Sequence, residues 1–183
     1  IQGISNSIKS ITPAIIMLLL IGALAGTWLI SGVIPTMIYY GLKILNPKIF
    51  LFVTAIITAI VSLSTGSSWS TIATVGLALL AIGTAIGLPL GLIAGSIISG
   101  AYFGDKMSPL SETTNMAAAI SGVDLFDHIK YMMYTTIPSF IITLIIFLII
   151  GFYFTTNISP EQINQALNII NKKFHITPWL FLV

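Results

Sequence analysis

Residues 98–117 read ISGAYFGDKMSPLSETTNMA, which sets Asp105, Lys106 and Glu112 and a row of hydroxyls and amides inside otherwise apolar sequence. Gly100, Gly104 and Pro109 keep this run from continuing as regular helix, because glycine is conformationally too free and proline lacks the amide donor a helix interior needs. Unwound backbone is therefore expected here. In lipid such backbone is tolerated only where it is buried in protein or lines a water-filled cavity. A charged side chain at bilayer depth costs about 2.5–3.5 kcal/mol on insertion scales, so these charges need partners or a function.

The rest of the chain says that the flanks do lie in lipid. Of 183 residues, 56% are hydrophobic and 7% charged, against about 25% charged in an ordinary soluble domain. Apolar runs recur over 14–30, 49–63, 72–101 and 138–154. The expected fold class is an all-α polytopic membrane protein. With no cysteine, disulfides and thiolate metal sites are excluded. The formal charge of +2 comes from lysines spread along the chain, which leaves no footprint for nucleic acid. The chain starts at Ile1 without an initiator Met, shows no signal-peptide pattern and stops within a new apolar segment, so it reads as an internal fragment of a larger transporter.

Working outward along the chain, 1–13 reads as a surface helix, with Ile1, Ile4, Ile8 and Ile11 at helical spacing. A span over 14–45 follows. Its Gly22 and Gly26 stand four apart, the spacing that lets a neighbouring helix approach closely. The interruption SGVIP at 31–35 makes it a broken or strongly tilted helix, since about 30 residues are too many for one straight crossing. Residues 49–86 read as a hairpin. Its two apolar arms are about 15 residues each, roughly 22 Å of helix against a hydrocarbon core of roughly 30 Å, and its tip, STGSSWST at 64–71, carries six hydroxyls. A re-entrant hairpin with its tip partway into the membrane accounts for both features; two short tilted spans are the alternative.

Residues 88–122 read as a discontinuous helix broken at the opening stretch. Gly91, Gly95 and Ser99 form one small-residue stripe and Ser96, Gly100 and Gly104 another, so close packing is expected on two sides. A juxtamembrane helix over 124–134 is capped by Asp124. A lipid-facing span at 135–154, an amphipathic helix at 159–174 and the start of a truncated span at 177–183 complete the pattern. Counting crossings puts Lys43, Lys48, Lys172 and Lys173 on one side and Lys9 and Lys130 on the other; the first group is the cytoplasmic one by the positive-inside rule.

Lys106 cannot neutralise both acids, so one of Asp105 and Glu112 is left to bind a proton or a cation; a purely structural Asp105–Lys106 pair is the bland alternative. An alkali cation exchanges its water for hydroxyl, amide, carbonyl and carboxylate oxygens. Ser108, Ser111, Glu112, Thr113, Thr114 and Asn115 supply such groups in one short run, and an apposed hairpin tip adds Ser67, Ser68, Ser70 and Thr71. For each hydroxyl alone, bonding to its own helix backbone is the competing use. A carboxylate that holds either a proton or a cation couples the two flows by competition.

The stretches GTWLISGVIPTMIYYGL from Gly26, TGSSWSTIATVG from Thr65, and AGSIISGAYFGDKMSPLSETTN from Ala94 on to FDHIKYMMYTTIP resemble the NhaC-type sodium/proton antiporters of the ion-transporter superfamily, over nearly all of 26–154. The resemblance implies a multi-pass protein of the bacterial inner membrane, in which inverted repeats each hold a re-entrant hairpin and a discontinuous helix. It implies Asp105, Ser108, Ser111, Thr113 to Asn115 and the Ser67–Thr71 tip as the positions to suspect, and the family commonly carries Asp where Glu112 stands. Members include malate/lactate exchangers. The expected partners are thus sodium and protons, or malate and lactate, with the lipid bilayer, the remainder of the same protein and a homodimeric copy. No cofactor is expected, and no metal beyond transported sodium. An intramembrane hydrolase with Ser68, Asp105 and His128 as a triad is the rival from another class. His128 argues against it, since it sits in the polar DLFDHIK segment beside Asp127, and His175 is isolated.

Overall fold

The computed structural model describes residues 30–44 and 46–154, with Thr12 and scattered positions within 15–28 and 167–176. The surface helix expected over 1–13, the amphipathic helix over 159–174, the segment at 177–183 and His175 lie outside the described residues apart from those few positions. All elements are helical: α1 Val33–Ile44, a 3-10 turn Pro47–Ile49, α2 Phe50–Thr65, α3 Ser68–Ala85, α4 Leu90–Met107, α5 Glu112–Ser121 and α6 Leu125–Tyr153.

Local chemistry sets these boundaries. Asn46 starts the 3-10 turn, its Oδ1 accepting from the Lys48 amide at 3.0 Å. Gly66 ends α2 with φ +69°, a conformation glycine adopts without a Cβ penalty. Ser67 then turns extended and caps α3, its Oγ accepting from the Ser70 amide at 3.3 Å. Two residues thus separate α2 from α3, and the pair is a tight helical hairpin. Ser111 caps α5 in the same way through the Thr114 amide, and Asp124 caps α6 through the amides of Phe126 and Asp127.

Three helical stretches among the described residues are long and apolar enough to cross a membrane: Pro47–Thr65 (19 residues), Ser68–Ala85 (18) and Leu125–Tyr153 (29). The bent pair Gly22–Trp28 and Val33–Gly41, which meets at 66°, makes a fourth if counted as one span. The hairpin arms are therefore longer than their apolar runs suggested. At 1.5 Å per residue they reach about 27–28 Å, so their length alone does not demand a re-entrant path. The juxtamembrane helix and the span expected after it form one continuous helix, α6, only 11% of whose apolar window is buried within the protein.

Helix packing in lipid relies on close van der Waals contact rather than on removal of apolar surface from water. The small residues are placed accordingly. A Cβ on Gly100 would collide with the Ala55 carbonyl oxygen and Thr58 Oγ1, and one on Gly104 with the Ala59 carbonyl oxygen, so the Ser96/Gly100/Gly104 stripe lies directly against α2. Ser62 Oγ donates across this contact to the Ala101 carbonyl. On the other stripe, Gly91 and Gly95 meet nothing within 4 Å among the described residues, and neither do Gly22 and Gly26. At the far end of the hairpin, Phe50, Leu51, Leu79, Ile82, Ile86, Ile93 and Phe147 form the apolar core. Among the described residues the apolar core thus lies at one end of the hairpin and the polar side chains gather at the other.

Candidate functional site

The polar end is built where the hairpin tip meets the break between α4 and α5. A Cβ on Gly66 would stand 2.6 Å from the Leu110 carbonyl carbon, which shows how closely the tip sits on the break. Next to this contact Ser68 Oγ donates to Asp105 Oδ2 at 2.9 Å, joining the first residue of α3 to the last turn of α4. The hydroxyl is 3% exposed and the carboxylate half-buried. The amino end of α3, with its fractional positive charge, is therefore one residue from the carboxylate. Among the described residues Asp105 Oδ1 has no hydrogen-bond partner, so one carboxylate oxygen is committed and the other is not.

The break itself is ordered by its own side chains. The Ser108 amide donates to the Asp105 carbonyl (3.2 Å), and the Leu110 amide to Ser108 Oγ (3.2 Å). Thr114 Oγ1 reaches back from α5 to the carbonyls of Asp105 and Lys106, at 3.2 Å each. Ser111 Oγ and Thr113 Oγ1 share a hydrogen bond of 2.9 Å, and Asn115 Nδ2 donates to the carbonyls of Pro109 and Ser111 at 2.8 Å each. Ser108, Ser111 and Thr114 are buried. Glu112, Thr113 and Asn115 are exposed, and Glu112 occupies the first turn of α5, where an acid suits the helix dipole. The structure brings Asp105 and Ser68 together and turns Glu112 outward. Lys106 is also exposed and makes no ion pair with Asp105 among the described residues.

On the hairpin side, Thr71 is buried and donates to the Ser67 carbonyl at 2.9 Å, and its hydroxyl lies 3.4 Å from that of Thr65. Just beyond, Ile72–Gly76 forms a π-helical turn, an irregularity that recurs at functional sites. A hydroxyl that donates its proton to a carbonyl or carboxylate keeps its lone pairs for a cation. The site thus offers a carboxylate with one hydroxyl bonded to it and further hydroxyls in the adjoining tip and break, a set of oxygens that suits an alkali ion or a proton. Sequence reasoning missed the row of buried hydroxyls Thr54, Thr58 and Ser62 that lines the α2–α4 contact. Its signal was present as spacings of four within an apolar run. The hydrolase reading gains nothing: Ser68 is bonded to Asp105 rather than to an imidazole, and His128 Nε2 is buried without a hydrogen-bond partner among the described residues.

Comparison with known proteins places the sequence among transporters. The profile of the Na+/H+ antiporter family matches residues 100–183. A malate-2H(+)/Na(+)-lactate antiporter of Bacillus subtilis is 45% identical over 183 residues, the whole of this chain and 38% of that protein. The Na(+)/H(+) antiporter NhaC of Alkalihalophilus pseudofirmus is 45% identical over 177 residues, 97% of this chain and 37% of that protein. An arginine/ornithine antiporter, ArcD of Halobacterium salinarum, is 43% identical over 150 residues, 82% of this chain and 31% of that protein. The chain spans somewhat more than a third of the length of the first two. No solved structure matches it. A polar break and a hydroxyl-rich hairpin meeting at one carboxylate, in sequence this close to these transporters, lead to one assignment: the chain belongs to the Na+/H+ antiporter family.

Proposed function

We propose that the protein exchanges sodium for protons across a bacterial inner membrane, with Asp105 as the group for which the two compete. The observation that carries this reading is the Ser68–Asp105 hydrogen bond, which commits one carboxylate oxygen and leaves the other for a proton or a cation. Ser67, Ser68, Thr71, Ser108, Ser111, Thr113, Thr114 and Asn115 are the proposed oxygen donors, with the buried ones nearest the ion. Glu112 is the second proposed coupling carboxylate. Its exposure on α5 leaves it open to the larger part of the protein that lies beyond this chain. In this reading 49–86 is a re-entrant hairpin and 88–122 its partner discontinuous helix, one of two inverted repeats, and the partner repeat completes the ion's shell. A homodimer belongs to the same proposal.

The test uses the full-length protein in proteoliposomes, with a pH-sensitive dye inside and Na+, Li+ or K+ added outside. Cation-dependent proton movement is expected for the unaltered protein, and its loss in Asp105→Asn with membrane insertion intact. Normal exchange in Asp105→Asn would remove this residue from the mechanism, and the same holds for Glu112→Gln. A second reading, sodium-coupled exchange of malate and lactate, is favoured by the match of this whole chain to 38% of the Bacillus subtilis malate/lactate protein. Radiolabelled malate or lactate uptake in the same vesicles distinguishes the two.

A further inference from the structure

Among the described residues eleven hydroxyl residues are buried, and nine of them have a hydrogen-bond partner; Thr36 Oγ1 and Thr54 Oγ1 have none there. Leaving such a group unpaired costs about 1–3 kcal/mol. Thr54 lies on α2, whose contact with α4 is closed by the glycine stripe. Thr36 has a different setting, in the first full turn of α1 immediately after the break at Gly32, which has φ +89°.

Residues 32–36 are all buried, and Thr36 is 1% exposed. The Gly32 carbonyl already accepts the Thr36 amide at 2.9 Å. Pro35 has no amide donor, so Val33 and Ile34 are left with amides that α1 itself does not use. Side chains on a helix lean toward its amino end, which brings the Thr36 hydroxyl over this same turn. The first amides of a 12-residue helix, its positive end and one unpaired hydroxyl thus belong to one buried turn, next to the bend with Gly22–Trp28. The amides can only donate hydrogen bonds, and the hydroxyl beside them can donate one more. The combination suits an anionic oxygen pair and opposes a cation, so this spot differs in kind from the oxygen-rich site at Asp105.

We propose that the amino end of α1, with Thr36 as its side-chain donor, holds the carboxylate of a small organic acid during exchange. The proposal rests on the carboxylate-exchange reading above and assigns its anion to a helix other than those carrying Asp105 and Ser68. Broken helices in transporters direct half-helix amino ends at anionic substrate groups on the same physical ground.

The test is uptake of radiolabelled lactate and malate by the full-length protein in proteoliposomes, measured for the unaltered protein, Thr36→Val and Thr36→Ser. Losing one hydrogen bond to a charged group should raise the half-saturation concentration for lactate or malate about tenfold or more in Thr36→Val. Thr36→Ser, which keeps the hydroxyl, should restore it. An unchanged carboxylate half-saturation in Thr36→Val overturns the subsite while the exchange reading stands, and so does a Thr36→Ser variant as impaired as Thr36→Val. If the unaltered protein moves protons in response to sodium yet takes up neither acid, the exchange reading fails and the subsite with it.

Discussion

At the residue scale, the candidate site depends on which side of a helix a side chain faces. Ser111 and Thr114 are buried, whereas their neighbours Glu112 and Thr113 are exposed, because α5 begins at Glu112 and its turn carries every third or fourth residue inward. On α4, the half-buried Asp105 bonds Ser68 while the adjacent Lys106 is exposed, close to carbonyls at the helix end that favour a cation. Ser68 therefore has a role that the other tip hydroxyls lack, since it orients the carboxylate from across the interface. Hydrogen bonds to charged groups are worth about 1.5–3 kcal/mol, so Ser68→Ala should raise the sodium half-saturation concentration of exchange by roughly tenfold or more. Ser68→Thr, which keeps the hydroxyl, should stay near the unaltered value. Sodium titration of both variants in proteoliposomes checks this, and an unaltered sodium response in Ser68→Ala would show that the bond does not matter to the ion.

At the element scale, the tip of the α2–α3 hairpin and the α4–α5 break carry opposite halves of the site, and the glycine contact between α2 and α4 sets their separation. A methyl group on Gly100 would have to displace the Ala55 carbonyl, which is backbone and cannot rotate away. Overpacking of this kind costs about 1–3 kcal/mol, so Gly100→Ala should lower the melting temperature of the detergent-solubilised protein. A melting curve that superposes on that of the unaltered protein would mean that α2 and α4 lie farther apart than this. Much of this arrangement was legible in the sequence. The Ser96/Gly100/Gly104 spacing announced a close contact, Pro109 announced the break, and the six hydroxyls of 64–71 announced a polar tip able to meet it; Gly100 and Gly104, expected to unwind the chain as well, are helical in α4, because their missing side chains serve the contact with α2. What the sequence left open has physical causes. The two stripes on α4 look alike as spacings, and only the fold decides that one meets α2 while Gly91 and Gly95 meet nothing within 4 Å among the described residues. The arms looked short because polarity at 64–71 hides helix: Ser68 to Thr71 are helical, their hydroxyls bonded back to the chain or to Asp105. Thr36 gave no signal, since an isolated threonine after a proline reads as an ordinary helical residue until its hydroxyl is found unpaired.

At the scale of the whole molecule, the ends of the helices define two faces. Gly151, near the end of α6, lies so close to the turn before α2 that a Cβ there would strike the Lys48 carbonyl, so the last turn of α6 sits beside residues 46–49. The 29 residues of α6 extend about 43 Å at 1.5 Å each, which exceeds a hydrocarbon core of roughly 30 Å by about nine residues. The surplus falls naturally at the start of the helix, where Asp127, His128 and Lys130 are polar and the stretch after Pro138 is not. Asn46 and Gly122 are both exposed and stand toward opposite ends of this long helix. The lysine distribution then sets the sign, with Lys43 and Lys48 on the Asn46 side and Lys130 on the Gly122 side. Because the chain has no cysteine, single cysteines can be read in this segment without a background of their own. In a cysteine-free form of the full-length protein, Gly122→Cys should react with a membrane-impermeant maleimide on intact cells, and Asn46→Cys only after permeabilisation. The opposite labelling pattern would invert the protein in the membrane while leaving the relation between the two faces intact. Labelling of both from outside would contradict the single crossing of α6 on which that relation depends.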